Sequence, residues 1–330
     1  MPIKSLIERL KPYLRWGILA LTLAFLLHAL RQNWQEVLTL RFTAHAIALL
    51  MIATGVTLLA HIWSGWVWHW VMRLLDAPVN MTWSVITYLK TNLAKYLPGN
   101  IWHFVGRIQS LKSRGTSTGI AVTGVVLEPL LMAAAALAVI VVSQPSAILK
   151  GIILLGVLIG VHPRILNPLL QRLTTTKLKQ ADLTATEETL GLRHYPLKPL
   201  LGEVVFVLAR GMGFLIALST LTPVSLQDSL FVVGNFSLAW LLGLVIPGAP
   251  GGLGVFEATA LALMDPHFSA AVILGAVALY RLISTIAEAL AAGLAVIDER
   301  WNRAVIPLKA LPSAEINDNS EATDRQGTDH

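Results

Sequence analysis

Tyr96-Leu97-Pro98-Gly99-Asn100 and, with its first proline 149 residues further on, Val245-Ile246-Pro247-Gly248-Ala249-Pro250-Gly251-Gly252-Leu253-Gly254 each interrupt an apolar stretch with the two residues that helices tolerate least. Proline lacks a backbone donor and clashes with the turn before it, and glycine gives up the most conformational freedom on ordering. Lipid cannot hydrogen-bond the backbone groups that a break sets free. Such a break therefore survives at membrane depth only where protein or a water-filled cavity surrounds it. Two breaks in matching positions of two halves point to a transport site, with Pro98, Gly99, Pro247, Gly248, Pro250, Gly251, Gly252 and Gly254 as its hinges.

Composition places these breaks in a membrane. The 330 residues are 55% hydrophobic and only 13% charged, with a mean hydropathy of +0.66, against roughly 25% charged in ordinary soluble domains. Cysteine is absent, which removes disulfides, thiolate catalysis and cysteine-ligated metals together. The net charge of +6 does not imply nucleic acid, because the basic residues lie between apolar spans and not along one face. No cofactor is expected either. Gly252-Leu253-Gly254 follows no strand, and Glu257 stands where a dinucleotide fingerprint needs its third glycine. His61 and His69 have no carboxylate nearby in sequence, so no metal site is expected.

Apolar runs of crossing length occupy residues 16–30, 44–70, 118–142, 147–161, 200–221 and 269–297. The first is preceded by Lys4, Arg9, Lys11 and Arg15 but followed by no small-residue cleavage site, and is read as an uncleaved helix. Runs 83–107 and 230–264 carry the breaks near their centres and read as re-entrant helical hairpins. The expectation is an all-α integral membrane domain over residues 1–310, with six transmembrane helices and two oppositely inserted hairpins, followed by a disordered cytoplasmic tail over 311–330. The alternative is eight transmembrane helices.

Charge placement favours the first arrangement. With both termini cytoplasmic in a cell inner membrane, 18 of the 25 basic residues fall on inside segments, only Arg31 and Arg41 fall outside, and Lys90, Lys95, Lys150, Arg210 and Arg281 lie within apolar runs. Basic residues concentrate on the cytoplasmic side of membrane proteins. Eight full crossings would turn basic segments outward. The same arrangement makes each half a span, a hairpin and a span, with the second half inverted relative to the first, as in transporters built from inverted repeats.

Ionisable groups within spans cost roughly 2.5–3.5 kcal/mol each at the bilayer centre on insertion scales, and so face the protein interior. Around the first break, Lys95, Tyr96, Asn100, His103 and Arg107 supply a dense set of polar side chains for an anionic head group. The helix that starts after Pro98-Gly99 adds free N–H groups, and the Arg107 guanidinium can hold two phosphate oxygens at once. Glu128, Arg210, Arg281 and Glu288 complete the candidate set. Glu203 with Arg210, and Arg281 with Glu288, are seven residues apart and share helix faces. The bland reading of these pairs is that they tie the bundle together. Glu203 and Lys90, nearer span ends, reach the interface by snorkelling on the same bland reading. Glu257 is open between binding a cationic head group, carrying a proton and capping the next helix. Trp63, Trp66, Trp68 and Trp70 read as an interfacial belt, and residues 163–199 as a polar loop.

Tyr96-Leu97-Pro98-Gly99-Asn100-Ile101-Trp102-His103 with Gly106-Arg107, taken together with Pro247-Gly248-Ala249-Pro250-Gly251-Gly252-Leu253-Gly254-Val255-Phe256-Glu257, resembles the transmembrane region of the lysylphosphatidylglycerol synthase/flippase family across residues 16–297. The resemblance implies a flippase-like membrane region acting on a phospholipid or a polyprenyl-linked or glycolipid precursor. In two-part members of that family a separate cytosolic domain attaches lysine to phosphatidylglycerol. No such domain follows the last span here, so lysine transfer is not expected. The alternative is a membrane-embedded glycosyl- or lipid-transferase, or a scaffold for such an enzyme partner, in glycolipid or polysaccharide synthesis. It lacks an Asp-x-Asp motif or other recognisable catalytic signature.

The charge bias fixes a test. In single-cysteine variants of this cysteine-free chain, position 112 is expected to be labelled only from the cytoplasmic side, and positions 144 and 265 from outside. External labelling at 112 would overturn the inverted-hairpin topology.

Overall fold

The computed structural model describes residues 43–96, 101–143, 146–180, 191–246, 252 and 254–309. The run at 16–30, the centres of both breaks (Pro98, Gly99, Asn100, Pro247, Gly248, Pro250 and Gly251), Gln144 and the tail at 311–330 lie outside them. The described chain is all helix: α1 (Ala44–Leu74), α2 (Met81–Asn92) ending in a 3-10 turn (Leu93–Tyr96), α3 (Trp102–Lys112), α4 (Thr118–Ile140), α5 (Ala147–Gly160), α6 (Pro163–Gln180), α7 (Leu197–Ser219), α8 (Leu226–Val245), α9 (Val255–Met264) and α10 (Ala270–Lys309). Five of these helices are long and apolar enough to cross a membrane, six spans in all if the bent pair α5 and α6 counts as one. This is a multi-pass, all-α membrane protein.

Local chemistry sets the helix starts. Thr43, Asn80, Ser117, Ser146 and Ser225 each accept a backbone N–H from the first turn of α1, α2, α4, α5 and α8 respectively. The helices that return from the breaks start differently. Ile101 offers α3 no side-chain acceptor, while at α9 the Glu257 carboxylate folds back to accept the Gly254 N–H at 2.5 Å.

Each expected hairpin contributes two helices, one on either side of its Pro-Gly motif. With 12 and 11 residues, α2 and α3 are each about 18 Å long or less at 1.5 Å per residue, well short of a hydrocarbon core about 30 Å thick. The arms of the second unit are unequal. Its α8 has 20 residues and α9 only 10, so α8 alone has crossing length.

Antiparallel packing of α1 on α7 organises the bundle. Ala53 and Thr57 of α1 face Gly213, His61 meets Arg210, and Val67 and Trp70 close over Gly202. As numbers rise along α1 they fall along α7, which is the relation an inverted repeat requires. A Cβ at Gly202 or Gly213 would stand 2.6 Å from Val67 or Thr57, so both glycines are what lets the helices approach. Contacts among the eight helices of the two halves come in matched pairs: α1 with α2 and α7 with α8, α3 with α4 and α9 with α10, α10 with α2 and α4 with α8, α10 with α1 and α4 with α7, whereas the packing of α5 and α6 on α4 has no counterpart among the described residues. His61 and Arg210 are separated by 149 residues, the same interval as Pro98 and Pro247. Corresponding positions touch each other only beside the axis that relates the halves, so this pair marks that axis.

Two expectations need correction. The run at 147–161 is not a full crossing helix: α5 has 14 residues and turns by 63° into α6. Residues 163–180 are therefore helix and not polar loop. Leu166, Leu170 and Thr174 line one buried face of α6, and Asn167 holds the returning chain by bonding both the N–H and the carbonyl of Leu192. The basic residues interspersed among these leucines hid the stripe.

The antiparallel register has a direct consequence. In a Thr57→Cys/Gly213→Cys variant, mild oxidation is expected to join α1 and α7, because a Cβ at 213 would stand 2.6 Å from the γ atom of residue 57, a clash that a bond between the two sulfurs relieves. Absence of a cross-link in well-folded protein would overturn the register.

Candidate functional site

A cavity of about 570 Å³ lies between the two breaks, lined by both halves of the molecule. From the first unit come His61, Tyr88, Lys95, Tyr96, His103, Arg107 and Glu128, and from the second Arg210, Gly252, Tyr280, Arg281 and Ser284, among others. Seven of the ten expected binding residues are thus brought to one space. Asn100 is outside the described residues. Glu257 and Glu288 stand one layer back, each bonded to a lining residue.

The charges fall into three groups. In the first, Arg107 of α3 bonds Glu128 of α4 at 2.5 Å, donates to the Thr91 hydroxyl at 3.3 Å, and lies 3.9 Å from the centre of the Tyr88 ring. Tyr88 is in turn fixed by Ser64 at 2.7 Å. The second group closes the later break. Arg281 of α10 bonds Glu257 of α9 at 2.8 Å and the Gly252 carbonyl at 3.2 Å. Gly252 has φ +70°, and a Cβ there would stand 3.0 Å from the Gly243 Cα, so the motif needs glycine at this position for both reasons. Glu257 does cap its helix, and it pairs with Arg281 at the same time.

The third group sits at the axis. Glu288 Oε1 accepts from Lys95 at 2.6 Å and from Ser284 at 3.3 Å, and lies 3.1 Å from His61 Nε2 and 3.8 Å from Arg210. Arg210 also reaches His61 at 2.9 Å and Ser284 at 3.0 Å. Among the described residues, four cations, Lys95, Arg107, Arg210 and Arg281, therefore face three carboxylates, Glu128, Glu257 and Glu288. The surplus positive charge belongs to the Lys95–Arg210 pair, which shares one carboxylate. Arg210 Nε, His103 Nδ1 and the Tyr280 hydroxyl, all on cavity-lining residues, have no hydrogen-bond partner among the described residues.

Several expectations change. The residues spaced by seven take partners on other helices: Arg210 turns to Glu288, and Arg281 to Glu257. Arg107 is not a free cation, being fully enclosed and bonded to Glu128. Glu203 does not snorkel, since its relative exposure is 0%. Lys90 does reach outward, to Glu299. The tryptophans divide: Trp66 is exposed, whereas Trp68 is buried against Trp83 and Tyr88, and the Trp63 indole donates to the Gly202 carbonyl at 2.8 Å. The residue missed outright is His61. Its signal was the interval of 149 to Arg210, the same as that between the prolines. No cluster of three or more metal-ligating side chains occurs among the described residues.

No protein-family model matches this chain, and no curated protein matches it in sequence.

Because Glu288 neutralises two cations in a buried setting, Glu288→Gln is expected to lower stability by about 3–5 kcal/mol, the cost of leaving buried charge unpaired. Adding Lys95→Met should recover part of that loss, so that the two changes are non-additive. Thermal unfolding of the purified single and double variants in detergent measures the coupling, and additive effects would separate Lys95 from Glu288.

Proposed function

We propose that this protein moves an anionic lipid, or a lipid-linked precursor with an anionic head group, between the leaflets of the membrane. The observation that carries the reading is the surplus positive charge, with unpartnered polar groups around it, in a cavity between two helix breaks. A phosphate entering there gives the Lys95–Arg210 pair a second counter-ion and gives Arg210 Nε and the Tyr280 hydroxyl an acceptor. Acyl or polyprenyl chains remain in lipid. Movement of the two inverted units about their shared axis then exposes the head group to each side in turn. The likeness of both breaks to the lysylphosphatidylglycerol synthase/flippase membrane region supports the same function, with a cell inner membrane as the location and cytoplasmic termini.

The test is transbilayer movement in liposomes. Purified protein is expected to accelerate the flipping of a fluorescent phosphodiester lipid of net negative charge well beyond that of a zwitterionic analogue. Lys95→Ala should slow the anionic lipid about tenfold, the size of one lost charge-assisted hydrogen bond, with little effect on folded yield. Equal rates for both lipids, or rates no higher than in empty liposomes, would overturn the proposal. Formation of a new product from a sugar donor would replace it with the transferase reading.

A further inference from the structure

Beside the cavity lies a fourth carboxyl group that none of the three charge groups uses. Glu203 of α7 is completely buried, and neither of its oxygens has a hydrogen-bond partner among the described residues. The charges acting on it are those of Glu128 and Arg107, each 2% exposed. Among the described residues, other elements packed around this region supply no second cation. From α1, His61 is turned to Glu288 and Arg210; from α2 comes the Tyr88 hydroxyl, bonded to Ser64; α10 presents Glu288, already held by Lys95. The one ionisable residue of α8, Asp228, sits in its exposed first turn.

Glu203 therefore has no counter-ion of its own, because the Arg107 guanidinium is bonded to Glu128. A buried carboxylate with neither counter-charge nor hydrogen bond costs several kcal/mol, and a proton removes that cost. Glu128 keeps its charge by bonding Arg107, so the proton resides on Glu203. The resting cluster is then neutral: Arg107 positive, Glu128 negative, Glu203 a carboxylic acid. Glu128 lines the cavity together with Arg107, whereas Glu203 does not. An anion seated at the Lys95–Arg210 pair that also draws on Arg107, which lines the same cavity, leaves Glu128 without its counter-ion, and one proton from water, arriving through the cavity, restores neutrality. When the anion leaves, Glu128 releases that proton and rebinds Arg107.

We infer that Arg107, Glu128 and Glu203 form a proton-binding site, with one proton held permanently on Glu203 and a second taken up by Glu128 for each anionic group bound. The coupling half of this inference rests on the transport reading; the proton on Glu203 does not.

The two halves are tested separately in full-length protein. Infrared spectra of reconstituted wild type at neutral pH should contain the carbonyl stretch of a protonated carboxyl group, lost in Glu203→Gln and retained in Glu128→Gln. Glu203→Met should leave thermal stability unchanged or raised, because no bond is lost. Dihexyl phosphate, whose single charge is constant across neutral pH, should bind wild type about tenfold more weakly for each unit rise in pH, as linkage to one proton requires. That slope should persist in Glu203→Gln and vanish in Glu128→Gln. If Glu128→Gln does not fold, the wild-type slope and the Glu203 band decide. A missing Glu203 band, marked destabilisation by Glu203→Met, or a pH-independent affinity in wild type would overturn the inference. Tight, pH-linked binding without lipid movement in liposomes would overturn the transport reading alone. Failure of dihexyl phosphate to bind would overturn the coupling and count against that reading as well.

Discussion

Charge inside an apolar bundle has to be balanced on the spot, and this requirement shapes the centre of the molecule. Arg107, Arg210 and Glu288 are buried, so each must find its partner on a neighbouring helix. The partners come from elements far apart in sequence: α2 and the turn after it supply Lys95, α1 supplies His61, α7 supplies Arg210 and α10 supplies Glu288. These contacts define which helices must meet. Small residues then allow the meeting, with Gly202 and Gly213 closing α1 on α7 and Gly65 closing α1 on Val85 of α2. Apolar packing fills what remains, as where Phe214 stacks on Phe236 and both meet Phe256 or Tyr280 edge-on. Outward faces stay apolar because they meet lipid. Met51, Leu59, Ile148 and Ile152 are exposed for that reason.

The architecture was legible in the sequence to the extent that it depends on lipid. Span positions follow from hydropathy, and the breaks follow from Pro-Gly pairs that no continuous helix would carry. The inverted relation of the halves followed from basic residues in the loops, and the falling register of α7 against α1 agrees with it. Helix α6 was not legible, because Arg164, Arg172 and Lys177 interrupt the leucines of its buried stripe and gave residues 163–180 the appearance of a loop. Hydropathy averages over all faces of a helix, whereas burial selects one.

The site was legible as a list of residues and illegible as a set of partnerships. Intramembrane Lys, Arg and Glu stand out by their cost in lipid, and seven of the ten named binding residues line one cavity. Which of them pair is a matter of helix rotation and register between distant elements, and seven-residue spacing within one helix says nothing about a nearer partner on the next. Arg281 illustrates the point: Glu288 shares its face, yet Glu257 across the break is within 2.8 Å. His61 escaped for a different reason. The two halves differ at the axis in residue identity, His against Arg, so the repeat there is one of position and not of side chain.

The two outer ion pairs carry the same lesson further. In the first unit the arm returning from the break carries the arginine and the next helix the carboxylate; in the second unit the arm carries the carboxylate, Glu257, and the next helix the arginine, Arg281. The fold repeats while the polarity reverses. An anion at the first latch can draw away an arginine carried by the break's own arm. At the second, the arginine belongs to the long helix α10 and also holds the Gly252 carbonyl, so an anion bound there competes with the contact that fixes the glycine turn. Under the proposed function the same head group would therefore loosen the first unit by moving its arm and the second by freeing its turn. Inverted repeats make the two sides of the membrane structurally equivalent; the reversed latches make them chemically different.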